Sequence, residues 1–385
     1  MCANEAVSEN KKVILFISSL GGGGAQRQIT ELACLLRDRY DVEVLIYHKN
    51  FEFRDILVRH SIPVYFIEKK TKVDIVFLVK LFFYFFKNRT AIVLSYLFVP
   101  NLYARFVGKV AMVKGVITSE RNVELKNSAV RRWIEKSSFF LSDLIIVNSS
   151  EIKDIYVEKL KVSPSKIEVI NNVVDLDTFR RVDVSLKDID EMHYLDLAEG
   201  QKIICVPARI QRQKNLECLV RAFAKLSAEE QQDKVILFAG NIFDEDYKAE
   251  LDSVIDGYGL NRRIHFLGPV KDISALYNIS DVVVLPSLYE GFSNAVLEAM
   301  ACCAVVIASN IASNGQIIAD GDEGYLFVSD DENDLVSKLR QGIAMSEDSK
   351  AAMGARARKK IERVCGRENF LRKYIRSIEV VIGVS

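Results

Sequence analysis

Runs of four to eight apolar residues alternate with amphipathic segments along the chain, in two series. The first is VILFISSL (13–20), VEVLIY (42–47), PVYFI (63–67), AIVLSYL (91–97), GVITSE (115–120) and DLIIVN (143–148). The second is IICVPARI (203–210), KVILFAG (234–240), RIHFLG (263–268), VVVLPS (282–287) and AVVIAS (304–309). Strands that are apolar on both faces and separated by helical patterns predict parallel sheets covered by helices on both sides. The expectation is an α/β chain of two doubly wound units, 1–180 and 201–365, facing each other across a cleft. The polar, acidic stretch 181–200 reads as a linker, and the tail 366–385 holds one last helix, 368–382. Ligands of such sheets bind outside the carboxyl ends of the strands, so chemistry is sought just after strands.

The most apolar stretch is IVFLVKLFFYFF, 75–86. It is shorter than the roughly 18–20 residues that cross a bilayer, and Lys80 interrupts it. A helix apolar all round is expected to be buried in a core, with lipid contact as the alternative. Charge balances at 52 Lys+Arg against 52 Asp+Glu, which gives no reason to expect nucleic acid. The halves differ: residues 1–180 carry 27 basic and 20 acidic side chains, the remaining 205 carry 25 and 32. A basic first half favours an anionic surface, and scattered solvated charge is the plainer reading. Seven cysteines without a C-x-x-C pair and four well-separated histidines offer no metal-ligand spacing, so no metal or other cofactor is expected. The start, MCANEAVSENKK, lacks the apolar core of a signal peptide, and a cytoplasmic location is the expectation.

Three loops carry candidate chemistry. Gly21-Gly22-Gly23-Gly24-Ala25-Gln26-Arg27 joins the first strand to the first helix. It is not a dinucleotide fingerprint: the two possible registers end on Gln26 and Arg27, and the second strand ends Tyr47-His48-Lys49 without an acid for a ribose. Nor is it a Walker A loop, since no Gly-Lys-Ser/Thr follows. It reads as an anion or substrate loop backed by a helix N-terminus, or as a tight turn. The second loop runs from Arg209 to Asn215. It sets Arg209 and Lys214 at a strand's carboxyl end beside a helix that Asn215 is expected to cap, which suits a diphosphate. An exposed, merely solvated basic loop is the alternative. The third is Ser287-Leu288-Tyr289-Glu290-Gly291-Phe292-Ser293-Asn294-Ala295-Val296-Leu297-Glu298. Ser293 or Asn294 opens a helix, with Glu298 in its second turn. At about 1.5 Å per residue the two glutamates stand on the order of 10 Å apart. Glycosidase carboxyl pairs stand about 5–5.5 Å or 6.5–9.5 Å apart, so this pair suits the two ends of an extended ligand, with the 292–295 amides between them for phosphate. A loop acid near a helix dipole and a surface helix acid are the plain alternatives.

Together, GGGGAQR, ARIQRQKN, FLGPVKD (266–272), NVVDLDTF (172–179) and EGFSNAVLEAMA resemble the retaining glycosyltransferases of family 4, of the bacterial surface-polysaccharide type. That resemblance implies the GT-B fold, two Rossmann-like domains: an acceptor-side N-terminal one, a nucleotide-sugar-binding C-terminal one, and a last helix that returns to the first. It implies a metal-independent transfer of a hexose or N-acetylhexosamine from a nucleoside-diphosphate sugar, UDP-linked by expectation, to a glycan or polyprenyl-linked acceptor. The site would lie at the inner face of the cytoplasmic membrane, in peripheral contact with anionic lipid. By the resemblance Arg209 and Lys214 contact the diphosphate, Glu290 the donor sugar and Glu298 the ribose. The Phe292, Ser293, Asn294 and Ala295 amides meet sugar and phosphate, and Gly23 and Gly24 line the donor–acceptor cleft. Family members often carry a His after the fifth strand; here the stretch is Ser119-Glu120-Arg121-Asn122, so Glu120 and Arg121 are the acceptor-side candidates. Cys303 stands where a Gly is usual, and Gln316 where a later Glu is common. The alternatives are another GT-B nucleotide-sugar enzyme such as an epimerase, or a non-catalytic nucleotide-sugar-binding protein.

Overall fold

The structure is a computed structural model, and it describes residues 11–89, 91–121, 128–185, 189–192, 195, 197 and 200–383. The first ten residues with Cys2, and Asn122 and His193, lie outside the described residues. Two compact units divide the chain: Met1–Val173 with Arg367–Ser385, and Val174–Gly366.

In the first unit the strands are β1 (Lys12–Phe16), β2 (Asp41–Ile46), β3 (Val64–Phe66), β4 (Ile92–Tyr96), β5 (Gly115–Glu120), β6 (Leu144–Val147) and β7 (Ile167–Val169). They pair in parallel in the order β3-β2-β1-β4-β5-β6-β7. Successive strand residues point to opposite faces, so both faces need apolar cover. Leu15, Val44, Leu94 and Ile117 enter one core, completed by Phe370, Tyr374 and Ile378 of the C-terminal helix Arg367–Ile382. Ile14, Phe16, Val93 and Val116 enter the other, against Phe77, Leu81 and Phe85 of the helix Ile75–Lys87. Fully burying one such large side chain contributes about 1.5–3 kcal/mol.

The second unit repeats the winding with β8 (Lys202–Val206), β9 (Lys234–Ala239), β10 (Ile264–Gly268), β11 (Val282–Leu285), β12 (Val306–Ser309) and β13 (Tyr325–Phe327), in the order β10-β9-β8-β11-β12-β13, again parallel. Every strand expected from the apolar runs is present. β7 and β13 are additional, three-residue strands at the sheet edges.

Two expectations change. The passage between units falls at Val173–Val174, and 181–200 is no detached linker where it is described. Ile189 and Met192 are buried in the second unit's core, and Asn278 accepts from the Val182 amide at 3.1 Å. Isolated apolar residues in an acidic string form no period, which is why the segment reads as linker. The helix Ile75–Lys87 is buried on one side only: Ile75 is 71% and Phe83 62% exposed. Among the described residues no helix is long and apolar enough to cross a membrane.

Candidate active site

β8 and β11 are neighbours at the centre of the second sheet, where the strand order reverses. Loops leaving their carboxyl ends lie at the position where open parallel sheets bind ligands. After β8 the chain runs beside Ile242 as far as Ile210, then makes one 3-10 turn, Arg212–Lys214. After β11 it runs through Ser287 and Glu290 into the helix Asn294–Ala301.

The two loops are bonded to each other. The Leu288 amide donates to the Gln213 carbonyl at 2.9 Å. Gln213 Nε2 donates to the Tyr289 carbonyl at 2.7 Å and to Glu290 Oε2 at 3.5 Å. Ser287 Oγ donates to Glu290 Oε1 at 2.9 Å, and the Lys214 ammonium pairs with the same oxygen. The Lys214 and Glu290 side chains are 14% and 13% exposed, so the pair is only thinly screened by solvent. An ammonium has three N–H donors; one is spent on Glu290, and two remain for anionic oxygens.

Arg209 is exposed, its guanidinium 5.0 Å from the centre of the Phe243 ring. Among the described residues no carboxylate pairs with it. The neighbouring Arg212 is committed elsewhere, donating to both Glu250 oxygens at 2.7 and 2.5 Å. Asn215 does not cap its helix. It adopts a left-handed conformation, φ 49° and ψ 44°, and its side-chain amide donates to Asp330 Oδ1 at 2.9 Å.

Gly240, which follows β9, is a site residue that sequence reasoning missed. A Cβ there would lie 2.3 Å from the Ala208 carbonyl oxygen and 3.0 Å from the Arg209 amide nitrogen. Gly240→Ala should therefore displace the strand end that aims Arg209. Steady-state kinetics should show kcat/KM down about 10²-fold, since a shift of about 1 Å suffices for that. Phe243 was missed as well; its only sequence signal is an aromatic residue just beyond β9.

The helix Asn294–Ala301 opens at Ser293, whose hydroxyl caps none of its first-turn amides. Asp244, Asp272 and Asp331, by contrast, cap their helices in the same unit. Phe292 is 6% exposed and its ring joins the core, so only its backbone faces the loop. Ser293 is buried and Ala295 half-buried. Glu298, in the second turn, is 6% exposed and accepts from the Tyr277 hydroxyl at 3.4 Å. Burial pushes the thiols of Cys205, Cys218 and Cys302 up to about 12, which keeps them protonated at neutral pH. Cys303 follows the helix with φ 61°. The left-handed region costs a residue with a Cβ about 1 kcal/mol more than glycine. Cys303→Gly should raise the melting temperature by about 2–4 °C, read by calorimetry. Gln316 is exposed beyond the short helix Ala312–Gly315.

The remaining candidates belong to the first unit. Gly23 precedes and Gly24 opens the helix Gly24–Leu36, and none of Gly21–Gly24 has positive φ. A Cβ on Gly21 would meet the Asn50 side-chain amide at 2.3 Å and one on Gly22 the Glu52 carboxylate at 2.6 Å, both ends of flexible side chains that can turn aside. The loop is sewn to the one after β2 by the Leu20 amide on the Asn50 carbonyl and the Phe53 amide on the Leu20 carbonyl, both 2.9 Å. Arg121 is turned inward, and nearly all of its donors are used. Its Nε donates to Ser119 Oγ at 2.9 Å and its Nη1 to Asn172 Oδ1 at 2.6 Å. Its Nη2 donates to the Tyr96 and Tyr374 hydroxyls at 2.8 and 2.5 Å. It also lies 4.4 Å from the Tyr96 ring centre, and burial holds the Tyr96 phenol well above its ordinary value. Arg121 thus ties the C-terminal helix to β4 and β5. Glu120, buried at the end of β5, accepts from the Arg121 amide at 3.0 Å. Among the described residues no three His, Cys, Asp or Glu side chains gather as metal ligands.

Comparison with known proteins now gives this geometry a context. Residues 22–178 match the Glycosyltransferase Family 4 model, and residues 189–360 match Glycosyl transferases group 1. The N-acetylgalactosamine-N,N'-diacetylbacillosaminyl-diphospho-undecaprenol 4-alpha-N-acetylgalactosaminyltransferase of Campylobacter jejuni is 27% identical over 88% of this chain and 91% of its own length. The UDP-Gal:alpha-D-GlcNAc-diphosphoundecaprenol alpha-1,3-galactosyltransferase of Escherichia coli is 30% identical over 58% of this chain and 56% of its own. Among solved structures, Anabaena HepE in complex with UDP and glucose superposes with a TM-score of 0.84 at 18% identity, over 96% of this chain and 100% of that one.

Proposed function

This chain belongs to the glycosyltransferases that join a family 4 domain to a group 1 domain, and on that premise we propose that it is a retaining, metal-independent enzyme of surface-polysaccharide synthesis. It moves a hexose or N-acetylhexosamine from a UDP-sugar to a polyprenyl-diphosphate-linked saccharide at the cytoplasmic face of the membrane. The acceptor class rests on the relatives, whose names specify diphospho-undecaprenol acceptors. The nucleotide rests on the UDP-Gal named for the Escherichia coli relative.

The observation that carries the reading is the Lys214–Glu290 pair, bonded across the two loops at the centre of the second sheet. Breaking the sugar–phosphate bond leaves extra negative charge on the departing UDP. Lys214, Arg209 and the start of the helix Asn294–Ala301 are fixed positive groups for that charge, and fixed dipoles stabilise it without reorganising. Glu290 orients Lys214 and accepts from the donor sugar's hydroxyls; Glu298, one turn into the helix, accepts from the ribose. The acceptor hydroxyl attacks the anomeric carbon on the face the leaving group vacates, and its proton passes to a departing phosphate oxygen.

The test is transfer with purified protein, a panel of UDP-sugars and an undecaprenyl-diphosphate-linked saccharide, with EDTA present. The expected result is a product heavier by one sugar whose new linkage keeps the donor's anomeric configuration by NMR. Inversion, or transfer only with added divalent ion, overturns the mechanism; no transfer from any sugar nucleotide overturns the function. Glu298→Ala should raise the donor KM about tenfold or more, the loss expected for a hydrogen bond to a charged group, with a smaller change in kcat.

A further inference from the structure

Three cations stand on the short stretch that follows β8, and each is held differently. The Lys214 ammonium pairs with Glu290. Arg212 donates to both Glu250 oxygens at 2.7 and 2.5 Å, with Asp244 Oδ2 3.9 Å from its Nε. Arg209 has an aromatic partner instead. Its guanidinium lies 5.0 Å from the centre of the Phe243 ring, and among the described residues no acid pairs with it. Asp244, the acid next to Phe243 in the chain, is committed as a helix cap, accepting from the Tyr247 amide at 2.9 Å.

Backbone bonds fix the pairing of Arg209 with Phe243. The Ala208 amide donates to the Ala239 carbonyl at 3.0 Å, and the Ile210 amide to the Asn241 carbonyl at 2.9 Å. The Phe243 amide returns a bond to the Ile210 carbonyl at 3.1 Å, and Ile210 pairs with Ile242 as in a parallel sheet. The residues on both sides of Arg209 are thus bonded to the 239–243 segment, which delivers Phe243 beside it. Burial does not account for the ring. Phe243 is 68% exposed and belongs to neither hydrophobic core of its unit. A single exposed phenylalanine is ordinary by itself. This one is held over an arginine at the carboxyl end of a central strand, where parallel sheets bind ligands.

We propose that Phe243 is a positioning residue that aims Arg209 at the leaving diphosphate while keeping its charge whole. A carboxylate would grip the guanidinium more firmly, but it would cancel the charge and occupy up to two N–H donors. An aromatic ring attracts the cation through its quadrupole and leaves the five N–H groups of the guanidinium plane to phosphate oxygens. The loop thereby keeps one fully charged arginine beside a lysine whose charge is shared with Glu290. The inference rests on the transferase reading and deepens it, by naming what holds one of its two fixed cations ready.

The test combines NMR of selectively arginine-labelled protein, donor kinetics and calorimetric binding of inorganic pyrophosphate. In the ligand-free parent the Arg209 δ-protons, identified by their absence from Arg209→Ala, should lie upfield through the ring current. Phe243→Leu should return them to the ordinary position. The same substitution should lower kcat/KM roughly two- to fivefold, the worth of one exposed cation–π contact, and Phe243→Tyr should restore it. Phe243→Glu is the decisive variant. It holds Arg209 by an ion pair but neutralises it, so kcat/KM should fall about 10²-fold and pyrophosphate affinity on the order of tenfold or more. All three variants should melt within about 2 °C of the parent, because the side chain is exposed. In the Arg209→Ala background Phe243→Leu should have no further effect. Arg209 protons at the ordinary position in the parent overturn the proposal, and so does a Phe243→Glu protein as active as Phe243→Leu. A Phe243→Leu loss that persists without Arg209 overturns it too, since the ring then touches the nucleotide itself. The NMR and pyrophosphate measurements need neither donor sugar nor acceptor, so failed transfer leaves them standing, and their failure leaves the transfer reading intact.

Discussion

Replacing Lys214 with alanine is expected to lower kcat about 10²-fold or more, the loss typical of one removed donor to a developing charge. The cost to folding should be small by comparison. Glu290 keeps its bonds from Ser287 at 2.9 Å and from Gln213, so the stranded carboxylate is not left bare. A loss of about 1–2 kcal/mol is reasonable for a polar group that gives up one of several partners. Arg209→Ala should depress turnover comparably and barely move stability, because Arg209 is exposed and rests only on the Phe243 ring. Single-turnover rates and calorimetric melts, measured on the same preparations, separate the two effects. If both variants turn over like the parent, the fixed cations do not carry the leaving group and the assigned chemistry is gone.

Arg121→Ala is expected to act on the fold and not on acceptor recognition. The substitution removes four side-chain hydrogen bonds and opens a cavity beneath the C-terminal helix, although the Tyr96 and Tyr374 hydroxyls keep their bond to each other at 2.7 Å. A loss of about 3 kcal/mol follows, roughly 6–12 °C in melting temperature for a unit of this size. The acceptor KM of the protein that stays folded should be unchanged, whereas Glu120→Gln should raise it. An Arg121 variant with a normal melt and a raised acceptor KM would reverse the assignment.

Much of this architecture was readable in the residues, for a definite reason. Strands such as 13–16 and 235–239 are buried on both faces and show as unbroken apolar runs. β7 escaped because Glu168 interrupts its three residues, whereas the short apolar run 325–328 that holds β13 was passed over. The helix Ile75–Lys87 was misjudged for the opposite cause: every side of it is apolar, so the sequence carries no mark of which side meets the core. Lys214 and Glu290 could be found because strand ends locate ligand loops. Their direct pairing could not, since it depends on β8 and β11 being neighbours although 76 residues separate the two side chains. Gly240 was hidden for the same reason: what demands a glycine there is the carbonyl of Ala208, just beyond the neighbouring strand β8. Asn215 shows the limit of local rules, for a residue suited to capping bonds a distant aspartate instead.

The hydrogen bonds between Gln213 and the 288–290 segment have a practical bearing on re-engineering. Neither loop is an independent module. A chimera that imports the segment around Glu290 from a homologue inherits a backbone fitted to some other residue than Gln213, and its carboxylate arrives without its scaffold. Grafts aimed at a new sugar will need to travel as a matched pair.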